Sequence, residues 1–202
     1  MQQGGTWWRR GARGHAAAQA AGLLAPGDGW SAAAAELGLD DPEQINALLQ
    51  VLEPHLGARP AQHPAWRRQV RALGRREHRE ACAALRALFE ALGEAVPRAA
   101  TSAAADGRPL LVGRENTVAA VNLVWAAVEL LGERAIPTLG LILDRSLTEP
   151  WTLDSGRVRN ACAGALAGLD TDESASVLIS AAASAPTKGQ KEQLLLCLDS
   201  AE

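Results

Sequence analysis

Residues 115–147 read ENTVAAVNLVWAAVELLGERAIPTLGLILDRSL, and this stretch decides the fold. From Glu115 to Leu131 the chain is almost wholly apolar, without the period-2 alternation of a half-buried strand. Ala and Leu dominate it, and both are strong helix formers. Gly132 then stops the run, and Glu133 to about Leu147 reads as a partner helix. After a loop of about eight residues, Gly156 to Leu169 forms another helix. Asp170-Thr171-Asp172 is a tight connection into a helix over Glu173 to Ser184, and Lys188 begins one more.

Sliding this half on itself by 38 residues sets Asn122 on Asn160, Leu131 on Leu169, Leu139 on Val177 and Leu143 on Ala181. Trp125 falls on Ala163 and Gly132 on Asp170, so the match is imperfect. A long helix, a short turn and a second helix at a period near 40 form the HEAT/armadillo pattern. One such hairpin cannot bury its apolar face alone, so its neighbours must stack. The expected fold is therefore all-α: a HEAT/armadillo-like helical-repeat solenoid of stacked antiparallel helix pairs.

Composition agrees. Hydrophobic residues make up 48% of the 202, yet there are six Trp, one Phe and no Tyr, where strands would favour aromatic and β-branched residues. The net charge of -3 argues against wholesale polyanion binding. Cys82, Cys162 and Cys197 are odd in number, lack a CxxC partner and sit in apolar helical contexts. They read as small buried hydrophobes of a reducing compartment, not as a disulfide framework or a metal site. The start MQQGGTWWRRGARGH has no apolar leader region and the chain has no run of 18 apolar residues, so the expectation is a cytoplasmic protein without membrane contact.

Glycine and proline punctuate the remainder. They cluster at 26–29, at 54–64, near Pro97, at 106–113 and at 150–156. Asp41, Pro42 and Gln44 read as N-cap, first helical position and capping box of a helix whose stripe is Ile45, Leu48, Leu49 and Leu52. A further helix opens at Pro64 and carries Trp66, Val70 and Leu73. Another runs from Arg76 to Leu92 with Cys82, Leu85, Leu88, Phe89 and Leu92 on one face and Gly93 as its C-cap. A short Ala-rich helix follows Pro97. These breaks divide the chain into an undefined segment 1–29, an N-terminal helical region 30–113, and HEAT-like repeats with a terminal helix over 114–202.

Three elements resemble one family. Glu115-Asn116 with Val121-Asn122-Leu123-Val124-Trp125-Ala126-Ala127 resembles the Asn-bearing helix start and Leu-Val-Trp core of a bacterial family of unknown function. Asn160-Ala161-Cys162, followed by Ala165-Leu166 and Leu169, resembles that family's second helix. Trp66 and the helix end Ala91-Leu92-Gly93-Glu94 are similar upstream. The family includes molybdate-metabolism-regulator-like proteins and is associated with the WGR domain. The likeness spans residues 60 to 202 and departs from the family where Val121-Asn122 replaces a basic or small pair. It has no WGR domain and lacks the large C-terminal region of a full-length member. It implies a HEAT-like helical module, related to or part of a larger bacterial protein, and carries over no catalytic residue.

The sharpest candidate site is a basic segment. Between Arg59 and Arg79 seven arginines face one acid, Glu77, a charge of +6 that leaves -9 for all other residues. Arg67, Arg71, Arg75 and Arg79 recur every four residues and would form one stripe on a continuous helix, with Arg68 beside it, unless Gly74 breaks the helix. Such a stripe grips phosphates or an acidic partner helix; the bland alternative is a solvated face paired with Asp40, Asp41, Glu43 and Glu53. His15, His55, His63 and His78 have no zinc or catalytic spacing. Asn116, Asn122 and Asn160 are expected to bond backbone of neighbouring repeats. Trp66 and Trp125 occupy core positions, whereas Trp7, Trp8, Trp30 and Trp151 lie near ends or in loops.

Phosphate-loop, dinucleotide and nucleophile-elbow spacings are absent from the sequence. The expected function is a non-enzymatic interaction or scaffold module that binds a protein partner or neighbouring domains, with no cofactor and no evident small-molecule substrate. The alternative is a nucleic-acid-associated module using Arg67, Arg68, Arg71, Arg75 and Arg79. A helical-repeat DNA glycosylase is a third possibility, for which Trp66 amid arginines is the sole echo.

Overall fold

Gly132 adopts φ +56°, a left-handed conformation in which glycine meets no Cβ penalty, and there the first long apolar helix ends. A computed structural model places this turn and describes residues 23–52, 63–99, 109–149 and 156–199. Around it are α1 (Gly29–Glu36), α2 (Pro42–Leu52), α3 (Pro64–Leu73), α4 (Arg79–Glu94), α5 (Thr117–Leu131), α6 (Ile136–Thr148), α7 (Arg157–Ala167), α8 (Asp172–Ser184) and α9 (Lys188–Asp199). Single 3-10 turns at Arg76–His78, Arg114–Asn116 and Gly132–Ala135 lead into α4, α5 and α6. The described chain is mostly helical.

Local chemistry fixes several of the boundaries. Thr171 caps α8 by accepting from the Ser174 N–H at 3.2 Å, and the Ser174 hydroxyl lies 3.2 Å from the Thr171 N–H in return. Asp170, at φ 50°, supplies the left-handed step before it. Asp28 and Ser31 form the equivalent box on α1. Asp41 serves α2 differently from the expected box: its Oδ1 accepts from the N–H of Glu43 at 2.9 Å, one residue short of Gln44.

Two local expectations are corrected. Gly93 does not cap α4, which continues to Glu94. It is a contact residue instead: a Cβ there would stand 2.9 Å from Thr138 Cγ2 on α6, so the missing side chain is what lets the two helices approach. The Ala-rich helix expected after Pro97 is replaced at its start by an extended pair, β1 (Arg98–Ala99), antiparallel to β2 (Pro109–Leu110). Residues 100–108 lie outside the described residues.

Packing follows a regular rule. α2 packs on α4, α3 on α5, α4 on α6, α5 on α7 and α6 on α8, so from α2 onward each helix meets the one two places along the chain, whereas α1 packs on α4. α9 packs on α8 and α7. A single apolar cluster runs from Leu23 and Leu24 through Trp30, Leu48, Leu88, Leu123, Leu139 and Leu166 to Leu194. The regions 30–113 and 114–202 thus share one core, with α5 meeting α2, α3 and α4. None of the described helices is long and apolar enough to cross a membrane.

Candidate functional site

Arg67, Arg68 and Arg71 lie on α3, which ends at Leu73. Arg75 follows Gly74 outside any helix, Arg76 opens the 3-10 turn, and Arg79 begins α4. Gly74 therefore breaks the four-residue stripe, and the five candidate arginines are spread over three segments. Arg59 lies outside the described residues.

The acid that meets Arg67 and Arg71 is Glu129 of α5, which was not among those expected from the 40–53 helix. Arg67 Nε stands 3.1 Å from Glu129 Oε2, and Arg71 Nε pairs with Glu129 Oε1. α3 packs directly on α5, which brings the three side chains together. The arginine side chains are 45% and 62% exposed against 15% for the glutamate, so the cluster contributes little stability. Two cations sharing one carboxylate leave a local excess of one positive charge. Arg68 and Arg75 are exposed and make no ion pair among the described residues.

A second group of charges gathers where the start of α2 faces the start of α4. A cleft of about 410 Å³ is lined there by Asp41, Glu43 and Gln44 on one side and by Arg76, His78, Arg79 and Glu80 on the other. Gln44 Nε2 donates to Glu80 Oε2 at 3.3 Å and ties the two walls together. Arg76 and Arg79 make no ion pair with the acids of this cleft or with any other described residue. The acids of α2 thus stand across an open cleft from two of the arginines. Glu53 lies outside the described residues.

The asparagines divide. Asn122 is 5% exposed and donates from Nδ2 to the Leu52 carbonyl at 3.0 Å, satisfying an acceptor at the end of α2. Asn116, 3% exposed, donates from Nδ2 to the Ala25 carbonyl and to Asp28 Oδ2, both at 2.7 Å, and accepts from the Ala25 N–H. Asn160 departs from the expected structural role. It faces solvent on the first turn of α7 and bonds no backbone of a neighbouring helix.

Trp66 is buried as expected, its indole N–H donating to the Val51 carbonyl at 3.0 Å. Trp30, grouped by sequence with residues near ends or in loops, is instead fully buried on α1, donating to the Leu88 carbonyl at 3.2 Å. Trp125 is only half-buried, its ring edge against Gly164 of α7, where a Cβ would come within 3.4 Å. Trp7, Trp8 and Trp151 lie outside the described residues. Cys162 is buried on α7 and burial pushes its thiol pKa up; Cys197 is shifted in the same direction for the same reason. Among the described residues no three His, Cys, Asp or Glu side chains gather as metal ligands would.

Two polar residues escaped the sequence reading. Arg145 of α6 donates from Nη1 to the carbonyls of Gly93 and Ala95, at 2.9 and 2.7 Å, and so closes the end of α4. Asp28, 4% exposed, accepts from the N–H groups of Ser31 and Gly113 as well as from Asn116. A D-x-x-S pattern ahead of a short helix was the available signal for the Ser31 bond. Nothing local pointed to Gly113. Comparison with protein-family models, with curated proteins and with solved structures finds no match to this chain.

Proposed function

We propose that the chain is a non-enzymatic helical-repeat interaction module, HEAT-like in plan and related to or part of a larger bacterial protein. The alternate-helix packing supports the array reading, because stacked hairpins bring each helix against its counterpart in the next repeat. The observation that carries the functional reading is the apolar surface of the last helix pair. Ile179 of α8 is 56% exposed, and Leu195 and Leu196 of α9 are 39% and 63% exposed. Exposed Ile and Leu side chains on α8 and α9 suit contact with a protein partner or a neighbouring domain.

The test is a photo-cross-linkable residue at position 196 of the full chain in its native host. The module reading expects a discrete cross-linked protein that disappears in the Ile179→Ser, Leu195→Ser double variant while that variant keeps its helical circular dichroism. Absence of any discrete product from the parent chain would refute it.

A second reading keeps the nucleic-acid alternative, on the ground that Arg68 and Arg75 are exposed and unpaired among the described residues. It expects single-stranded or duplex DNA or RNA to bind with an affinity that falls steeply with salt, as neutralised phosphates release counterions. Arg68→Glu with Arg75→Glu should abolish that binding with the melting temperature unchanged. Unaltered binding by the double variant would exclude the segment as a nucleic-acid surface.

A further inference from the structure

The cleft between the starts of α2 and α4 is walled by charged side chains. Its volume, about 410 Å³, falls within the range of small-ligand sites. Its walls carry both signs of charge: Asp41 and Glu43 come from α2, Arg76 and Arg79 from the turn and first residue of α4, and Glu80 stands beside them.

These charges do not neutralise one another. Glu43, Arg76 and Arg79 make no ion pair among the described residues. Where an acid comes within reach elsewhere, the arginines take it, as Arg67 and Arg71 do with Glu129 and Arg86 does with Glu90. Two of the acids have partners of their own: Asp41 accepts from the Glu43 N–H at 2.9 Å, and Glu80 accepts from Gln44 across the cleft at 3.3 Å. Their remaining lone pairs are available to the cleft.

This distribution selects a ligand by its charge pattern. A simple anion would meet three carboxylates that repel it, and a simple cation would leave both guanidinium groups without a partner. A polyanion is disfavoured by the same carboxylates. A molecule carrying a carboxylate and an ammonium or guanidinium group can satisfy both walls at once. We propose that this cleft is a binding site for a small zwitterion of the amino-acid class, its carboxylate on Arg76 and Arg79 and its cationic group on Asp41 and Glu43. The proposal stands independently of the interaction-module reading, since it uses neither the α8–α9 surface nor a partner protein.

The walls are open to solvent, so screening keeps each contact weak, and a dissociation constant on the order of 1 mM is expected. The experiment is an amide NMR titration of the full chain with L-lysine, L-arginine, L-glutamate and glycine at constant ionic strength. Sodium acetate and butylammonium chloride serve as single-charge controls. At least one amino acid should give saturable shifts centred on residues 41–47 and 76–81, and neither control should saturate. Arg79→Gln and Glu43→Gln should each weaken that binding about tenfold with unchanged melting temperature, while Arg79→Lys retains most of it. Three results would overturn the proposal: no saturable response to any of the four amino acids, equal saturation by acetate alone, or wild-type affinity in both charge-removing variants.

Discussion

Asn122 and Asn160 carry the same amide, and their surroundings make them energetically different residues. The Asn122 amide meets the Leu52 carbonyl in the buried contact of α5 with α2, whereas Asn160 faces solvent. Removing a buried partner leaves a desolvated acceptor behind, which costs more than the hydrogen bond itself contributes. Asn122→Ala should therefore lower stability by about 1–3 kcal/mol, and Asn160→Ala should fall within about 0.5 kcal/mol of the parent. Urea denaturation of the two variants checks this, and equal losses would show the burial assignment to be wrong. The sequence marked both asparagines as polar residues in apolar helices, but their orientation depends on which helices flank them. Trp30 was hidden for a related reason. α1 is a short helix of small residues, GWSAAAAE, with no apolar stripe to mark its inward face. Its burial follows from the chain that packs over it.

Helices with a stripe were legible from it. Leu48 and Leu52 on α2, Trp66, Val70 and Leu73 on α3, and Leu85, Leu88, Phe89 and Leu92 on α4 are buried at helical spacing. The 3-10 lead-ins were not legible, because one turn of either helix type has nearly the same pattern. Glycine distinguishes the elements further. A Cβ on Gly29, at the start of α1, would lie 2.1 Å from the Val96 carbonyl oxygen, and that backbone has no rotamer through which to retreat. On Gly189 of α9 a Cβ would meet nothing within 4 Å. Gly29→Ala should cost about 3 kcal/mol by overpacking, whereas Gly189→Ala should stabilise by up to about 1 kcal/mol through helix propensity. Thermal melts of the pair test the contrast. A harmless Gly29→Ala would mean that α1 does not approach Val96 so closely.

Across the whole molecule, the all-α class was readable from Ala and Leu content and from punctuation alone. The sharing of one core between 30–113 and 114–202 was not, because composition marks where helices stop and is silent on which of them meet. The cleft was illegible for the same reason, since residues 41–44 and 76–80 read separately as a helix start and as part of a basic run. The arginine segment was conspicuous in sequence, yet Glu129, the acid that engages it, lies more than fifty positions downstream. The clasp at the front of the molecule has a consequence of its own. Ala25 bonds Asn116 across 91 positions and Asp28 bonds Gly113 across 85, longer separations than the 70 positions between Asn122 and Leu52. Closing so long a loop carries an entropy cost that must be met before its bonds form. The bonds of Ala25 and Asp28 therefore form only once β2 and the start of α5 are in place, although α1 also packs on α4. α1 thus meets α4 across a shorter loop than the one its N-cap closes, so the clasp at Asp28 is the later of its two anchors to form.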